Sequence, residues 1–354
     1  MGWGGQEHRT FAELVGLRAR GHAVSLLAPS RSQIFQRALA AGIQVKSVSF
    51  DRVALPVELY HLICWLRRER IQVLNTHSSR DGWLLGLAAR LASVPLILRT
   101  RHIDVDYPNP TLSRIAFAGL ADHVLTTSAK ITANLQRVFG LSDARITTLP
   151  TGIDLERFSS GGPRADLGEV TMPLIGMISV LRSWKGHSDF LRAIAHLLAQ
   201  GFRANYLIVG GGQAPTWIEK QISDLGLRSV VRLVGHREDV PEVLRALSLL
   251  VIPSTKHEGI PQIGLQALAC ETPVVGSNVG GIPEIVRHNE TGRIFTTGQP
   301  EMLAEAIRRT FEEPQETVRM TKNGRALVEK CHSLDHMLNC LEEIYDRHLL
   351  HQRS

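Results

Sequence analysis

His257-Glu258-Gly259-Ile260-Pro261-Gln262-Ile263-Gly264-Leu265-Gln266-Ala267-Leu268-Ala269-Cys270-Glu271-Thr272-Pro273-Val274-Val275 is the stretch from which the fold of this chain can be read. The apolar run before it ends at Pro253-Ser254 and reads as a strand. A loop then presents Glu258 and Gly259, and Pro261 stands where a helix begins. The small and apolar residues Gln262–Cys270 make that helix, and Pro273–Gly276 returns to a strand. The first turn of such a helix offers free N–H groups and the positive end of its dipole, which suits a diphosphate.

Outward from this unit the same alternation fills the chain. On its N-terminal side Leu174–Ile178, Asn205–Val209, Val231–Val234 and Leu249–Ile252 read as strands, separated by helical stretches Ser188–Gln200, Trp217–Leu225 and Val240–Leu247. Earlier still, Val24–Ala28, Val45–Phe50, Val73–Thr76, Leu96–Arg99, His123–Thr127 and Ile146–Pro150 are strands, with helices such as Phe11–Arg20, Val57–Arg70 and Trp83–Ala92 between them. Strands alternating with helices predict parallel sheets with crossover helices. Ser159-Ser160-Gly161-Gly162-Pro163 has linker composition. The reading is therefore α/β, with two doubly wound, Rossmann-like domains. Residues 1–160 form the first and 161–330 the second, and a helix in 331–354 returns to the first. Ligands of such sheets bind outside the carboxyl ends of the strands.

Length and composition agree: 354 residues suit two domains, and 44% hydrophobic content supplies two cores. No apolar run is long enough to span a membrane, and Met1–Arg9 lacks a signal peptide's apolar core. Cys64, Cys270, Cys331 and Cys340 show no metal spacing and read as reduced thiols, so a cytoplasmic location is expected. Residues 1–150 hold 18 Lys and Arg against 10 Asp and Glu, whereas the rest hold 22 against 24. That asymmetry points the first half toward an anionic partner: a membrane surface, with peripheral attachment, or a phosphorylated acceptor. Scattered solvated charge is the competing reading. Nucleic acid is not expected, since no basic cluster carries interleaved aromatics.

The beginning of the chain breaks the pattern. A Rossmann-like domain opens with a strand, a glycine-rich turn and a helix, but here Gly2, Gly4 and Gly5 directly precede the helix starting near Gln6. The feeding strand would be central, so its neighbours are expected to show a gap. The true start is expected upstream, adding about 8–15 residues rich in Val, Ile and Leu. Phe11, Leu14, Val15 and Arg18 are expected to form the buried face of the first helix.

The run from His257 to Val275 resembles the carboxylate motif of the family 4 glycosyltransferases: two acidic positions separated by seven residues, a small-residue helix, then Thr-Pro-Val-Val. Other segments are similar in the same order. These are Gly4-Gly5-Gln6-Glu7, Arg20–Val24, Leu149–Asp154 with Phe158, Leu181–His187, Val209–Gly212, Leu233–Val240 and Gly280–Glu284. The resemblance implies the GT-B fold and a retaining transfer of sugar from a nucleoside diphosphate donor to a saccharide or lipid-linked acceptor, as in cell-envelope polysaccharide or lipopolysaccharide synthesis. It implies no metal and no cofactor.

Fixed cations beside the departing diphosphate speed its loss, and Arg182 and Lys185 fit that role by fork and by point charge. By resemblance Glu258 orients the donor sugar, with Gly259, Ile260, Pro261, Gly4 and Gly5 also at the donor. Arg237 lies at the base, and His102 stands beside the sugar in the first domain. Arg9 and Ser128 are candidates for the acceptor side, with surface solvation and helix capping as the competing readings. Gln266 stands where the family has its second glutamate on the ribose; an amide keeps hydrogen bonds there but loses charge-assisted strength. Asp104-Val105-Asp106 matches the D-x-D metal pair of the other glycosyltransferase fold, but in this context it reads as an acceptor loop or a solvated one. A catalytically silent scaffold and a sugar-nucleotide epimerase of the same fold are the alternatives.

Overall fold

The computed structural model describes residues 3–51, 55–105, 107, 109–168, 171–211 and 215–350. The chain divides into two compact units, Met1–Gly152 with Leu334–Ser354, and Ile153–Ser333. The division thus falls at Gly152–Ile153, not at the Ser159–Pro163 linker composition. That segment is tied into the second unit, where Arg245 donates to the carbonyls of Ser159 and Pro163 and Ser160 donates to Glu271.

Among the described residues the first unit shows six parallel strands in two separate sheets. β1 (Ser25–Ala28) pairs with β2 (Gln44–Ser47). β3 (Val73–Thr76), β4 (Leu96–Arg101), β5 (His123–Thr126) and β6 (Ile146–Thr148) form the other sheet in that order. The expected interruption is present: among the described residues β1 and β3 are each paired on one side only. The helices are α1 (Gly5–Ala19), α2 (Gln33–Ala40), α3 (Leu55–Arg68), α4 (Ser79–Ala92), α5 (Pro110–Arg114) and α6 (Ala129–Phe139). A π-helical turn, Ile115–Gly119, extends α5. The last helix of the chain, α14 (Leu334–Leu350), belongs to this unit, and its Met337, Leu338, Leu341 and Ile344 share a core with Leu17, Leu96, Leu98 and Leu125. α1 and α14 come so close that a methyl group on Gly16 would lie 2.5 Å from Leu338.

The face buried by α1 is not the expected one. Arg9, Thr10, Glu13 and Leu17 are buried, Val15 and Arg18 are exposed, and Phe11 and Leu14 pack beside β1 and α2. Apolar spacing misled here because Arg9 and Glu13, one turn apart, neutralise each other inside the unit.

The second unit has one continuous parallel sheet. Its strands are β7 (Leu174–Ile178), β8 (Asn205–Val209), β9 (Val231–Leu233), β10 (Leu249–Ile252), β11 (Val274–Ser277) and β12 (Arg293–Phe295), in the order β12-β11-β10-β7-β8-β9. Helices α7 (His187–Ala199), α8 (Pro215–Asp224), α9 (Val240–Ala246), α10 (Gln262–Ala269), α11 (Ile282–Ile285), α12 (Pro300–Glu312) and α13 (Pro314–Cys331) complete the unit. Two apolar clusters make its core, one around Phe190, Ile194 and Tyr206, the other around Leu244, Leu265 and Leu268. Chain order reverses between β7 and β10, which places a crevice at their carboxyl ends. β12 escapes the sequence reading because its three residues begin with Arg293 and follow directly on the polar run Arg287–Gly292.

Candidate functional site

At that reversal the chain leaves β7 through Ser179–Arg182, makes a short 3-10 turn at Ser183–Lys185, and enters α7. Gly186 has φ +80°, and a Cβ there would lie 1.8 Å from the Pro253 carbonyl oxygen at the end of β10. Only glycine lets the two loops approach so closely. They are also bonded: the Thr255 N–H donates to the Trp184 carbonyl at 2.7 Å. This contact brings Lys185 to Glu258, and the ammonium donates to Glu258 Oε1. Ser254 Oγ donates to the same oxygen at 2.6 Å, and Ser277 Oγ fixes the Ser254 carbonyl from the neighbouring strand end. Glu258 is buried, while Lys185 keeps about a quarter of its side chain exposed, at 24%.

The Glu258 loop rests on glycine as well. Gly280 has φ +59°, and a Cβ there would meet the Glu258 carbonyl oxygen at 2.1 Å. Gly259 and Ile260 are buried behind it, and Pro261 caps the start of α10 without any side-chain hydrogen bond to the first turn. Gln262, Ile263 and Gln266 form the partly exposed face of α10. Arg182 is exposed, and its guanidinium lies 5.0 Å from the centre of the Trp184 ring. Arg237, after β9, grips Asp239 with two nitrogens, Nε at 2.8 Å. The loops after β7, β8 and β9 are joined through main-chain groups: Leu181 N–H donates to Gly211 O, and Gly210 N–H to Gly235 O. Gly212, in the same glycine turn, lies outside the described residues. Arg182, Lys185 and the Glu258 loop are thus assembled at one end of one sheet, with Arg237 and Gln266 on the surrounding loops and helix.

In the first unit His102 follows β4, and its Nε2 lies 3.0 Å from Nδ1 of His77, which follows β3. The rings stack with centres 5.3 Å apart. Burial lowers the pKa of both, most strongly for His102, where His77, Arg9 and Arg101 add to the effect. For His77, Glu13 and Asp81 pull partly the other way. Both imidazoles are neutral at pH 7, so one proton is shared between the facing nitrogens. Sequence reading missed His77. Its signal was a polar run, His77-Ser78-Ser79, immediately after an apolar parallel strand.

The other first-unit candidates are more enclosed. Arg9 is 0% exposed; its Nε donates to Glu13 at 2.7 Å and its Nη1 to the Leu149 carbonyl at 2.6 Å. Nothing of Arg9 reaches the surface, contrary to a solvated reading. Ser128 is also fully buried and caps α6, accepting from the Ile131 N–H. Gly4 precedes α1 and donates to Glu7 at 3.0 Å, and Gly5 is the first helical residue. Asp104 accepts from Asn134 at 2.8 Å, and Asp106 lies outside the described residues.

Comparison with known proteins places this geometry. Residues 3–157 match the family described as Glycosyltransferase Family 4, and residues 164–327 that described as Glycosyl transferases group 1. The D-inositol 3-phosphate glycosyltransferase of Thermobifida fusca strain YX is 28% identical over 353 residues, covering 87% of this chain and 80% of the relative. The UDP-Gal:alpha-D-GlcNAc-diphosphoundecaprenol alpha-1,3-galactosyltransferase of Escherichia coli is 24% identical over 309 residues, covering 82% and 78%. In structure, Anabaena Alr3699/HepE in complex with UDP superposes with a TM-score of 0.86 at 20% identity, covering 97% of this chain and 96% of the other.

Proposed function

The chain belongs to the family 4, group 1 glycosyltransferases of the GT-B fold, and from that premise we propose that it moves a sugar, with retention and without a metal, from a nucleoside diphosphate donor. The observation that carries the reading is the Lys185–Glu258 pair beside Arg182 at the ends of β7 and β10. A cation and a carboxylate held together this way match the two halves of a nucleotide-sugar. Donor binding exchanges the pair: Lys185 and Arg182 turn to the diphosphate, and Glu258 takes the sugar hydroxyls. The pair is mutually neutralised until the donor arrives, so neither charge is buried alone.

Departure of the diphosphate builds negative charge, which Arg182, Lys185 and the N–H groups opening α10 offset in a fixed geometry. These groups supply what a divalent ion would otherwise supply. His102, neutral and held by His77, supplies a hydrogen bond to the sugar without adding charge. Retention follows the family resemblance, with same-face attack and the leaving phosphate as base. The acceptor carries a phosphate: the relatives named above act on inositol phosphate and on a lipid diphosphate, and the first half of this chain is basic. A saccharide or lipid-linked acceptor of the cell envelope fits both.

A panel of UDP-, GDP- and ADP-sugars with inositol phosphate or polyprenyl-diphosphate sugars tests this reading, with release of nucleoside diphosphate and product anomericity as readouts. Acceptor-dependent release that persists in EDTA supports it. No release with any pair would favour a silent scaffold, and loss in EDTA with recovery in magnesium or manganese would return attention to Asp104 and Asp106.

A further inference from the structure

The exposed side of α4 takes no part in the site described above. Six of its residues are exposed: Ser79, Arg80, Trp83, Leu87, Arg90 and Leu91. Trp83, Leu87 and Leu91 follow one another by single turns and stand 40%, 40% and 48% exposed. The opposite side, with Leu84, Leu85, Ala88 and Ala89, is buried in the unit's core, so α4 is apolar on both faces. Large apolar side chains stacked along a solvent-facing helix mark an interaction surface. The stripe extends over the next element. Arg90 donates to the Leu120 carbonyl, and Gly86 lies against Leu120; before that residue, α5 and the π turn expose Leu112, Arg114 and Ile115.

Charge identifies the partner. Arg67 donates to the Leu91 carbonyl at one end of the stripe, beside Arg68, while Arg80 stands at the other. Of the carboxylates nearby, Asp122 is held by Arg90 and Glu69 by Arg68, while Glu58 on the neighbouring α3 is half-buried. The single acid of α4, Asp81, points to the backbone N–H groups of His77 and Ser78. Arg67, Arg80 and Arg114 remain without a carboxylate among the described residues. A two-fold copy of this chain would set these arginines against one another, and a surface this poor in free carboxylates does not complement itself. A tryptophan and leucines among arginines instead match the boundary between anionic headgroups and acyl chains. No helix among the described residues is long and apolar enough to cross a membrane, so contact would be interfacial.

We propose that the exposed face of α4, with Leu112, Arg114 and Ile115, docks on a bilayer surface bearing anionic lipid. The proposal rests on the surface alone and stands apart from the transferase reading.

Vesicle sedimentation of the full chain tests it, using phosphatidylcholine with and without phosphatidylglycerol. The expected result is binding at least roughly tenfold tighter to the anionic vesicles, weakening with salt. Replacing all three stripe residues (Trp83→Ser, Leu87→Ser, Leu91→Ser) should lower partitioning by about a hundredfold or more. Arg80→Glu, on an exposed side chain in the first turn of the helix, should lower it about tenfold. Equal binding to both vesicle types, or full binding by both variants, would overturn the proposal. So would a wild-type dimer in sedimentation velocity that the triple variant converts to monomer, which would assign the stripe to a second copy.

Discussion

The two units share one βα alternation and differ in what their sheets do with it. In the second unit six strands run without a break, and two large apolar clusters line the sheet. Among the described residues of the first unit the strands stand as two and four, and the apolar residues fall into four smaller clusters. Local pattern makes the elements, but continuity of a core depends on every strand being paired. The units also differ in chemistry at their strand ends. The second holds a cation and a carboxylate at β7 and β10, the first a pair of neutral imidazoles at β3 and β4.

Hydrogen exchange would sharpen the first contrast most. Amides of β7 and β10, bonded on both sides, should exchange about a thousandfold more slowly than those of β1 and β3. Equal protection would show that the divided sheet is as well held as the continuous one. Next in size is the chemical contrast. Lys185→Ala should lower turnover by about a hundredfold with the fold intact, and His77→Asn by about tenfold, since the first removes charge stabilisation and the second only the partner of His102. If His77→Asn proved the more damaging, the assignment of charge chemistry to the second unit would fail.

Acid should also separate the units. A histidine whose pKa is lowered on folding binds its proton more readily in the unfolded chain. Stability is therefore lost as pH falls below the unfolded value of about 6.5. Each unit has one such residue pushed down to about 4, His123 in the first and His187 in the second, so these nearly cancel. Against the two lowered histidines of the His77–His102 pair the second unit sets one, His288, and Asp189, whose carboxyl burial raises, works in the opposite sense there. Between pH 7.5 and 5 the first unit should lose more stability, read as an earlier thermal transition whose pH dependence flattens in His102→Gln. The smallest effect concerns Gln266→Glu, which should tighten the donor by roughly two- to fivefold by restoring a charged acceptor for ribose hydroxyls. Tenfold weaker binding would show that the amide itself is required.

Much of the second unit was legible because its strands are apolar runs bounded by glycine and proline, and because the Glu258 motif fixes a strand, a loop and a helix together. What stayed hidden depends on contacts between distant segments. Arg9 and Glu13 look solvated until Leu149 is seen to accept from Arg9. The linker composition of Ser159–Pro163 says nothing of Arg245, which binds it into the second unit. His77 gains meaning only when β3 and β4 lie side by side. The division of the first sheet agrees with the strand pattern of the sequence, in which no run read as a strand is left over to sit between β1 and β3.

The glycines beneath the second unit's loops carry a consequence for change over generations and for engineering. Gly186, Gly210 and Gly280 each press directly on a carbonyl oxygen of another loop, so the frame of the proposed donor site is held through main-chain atoms. The side chains of His257, Arg237 and Gln266 make none of these main-chain contacts. Under the proposed donor assignment, nucleotide preference can change at Arg237 and Gln266 by single substitutions, whereas a lone methyl group on any of the three glycines would push the loops apart whatever the donor.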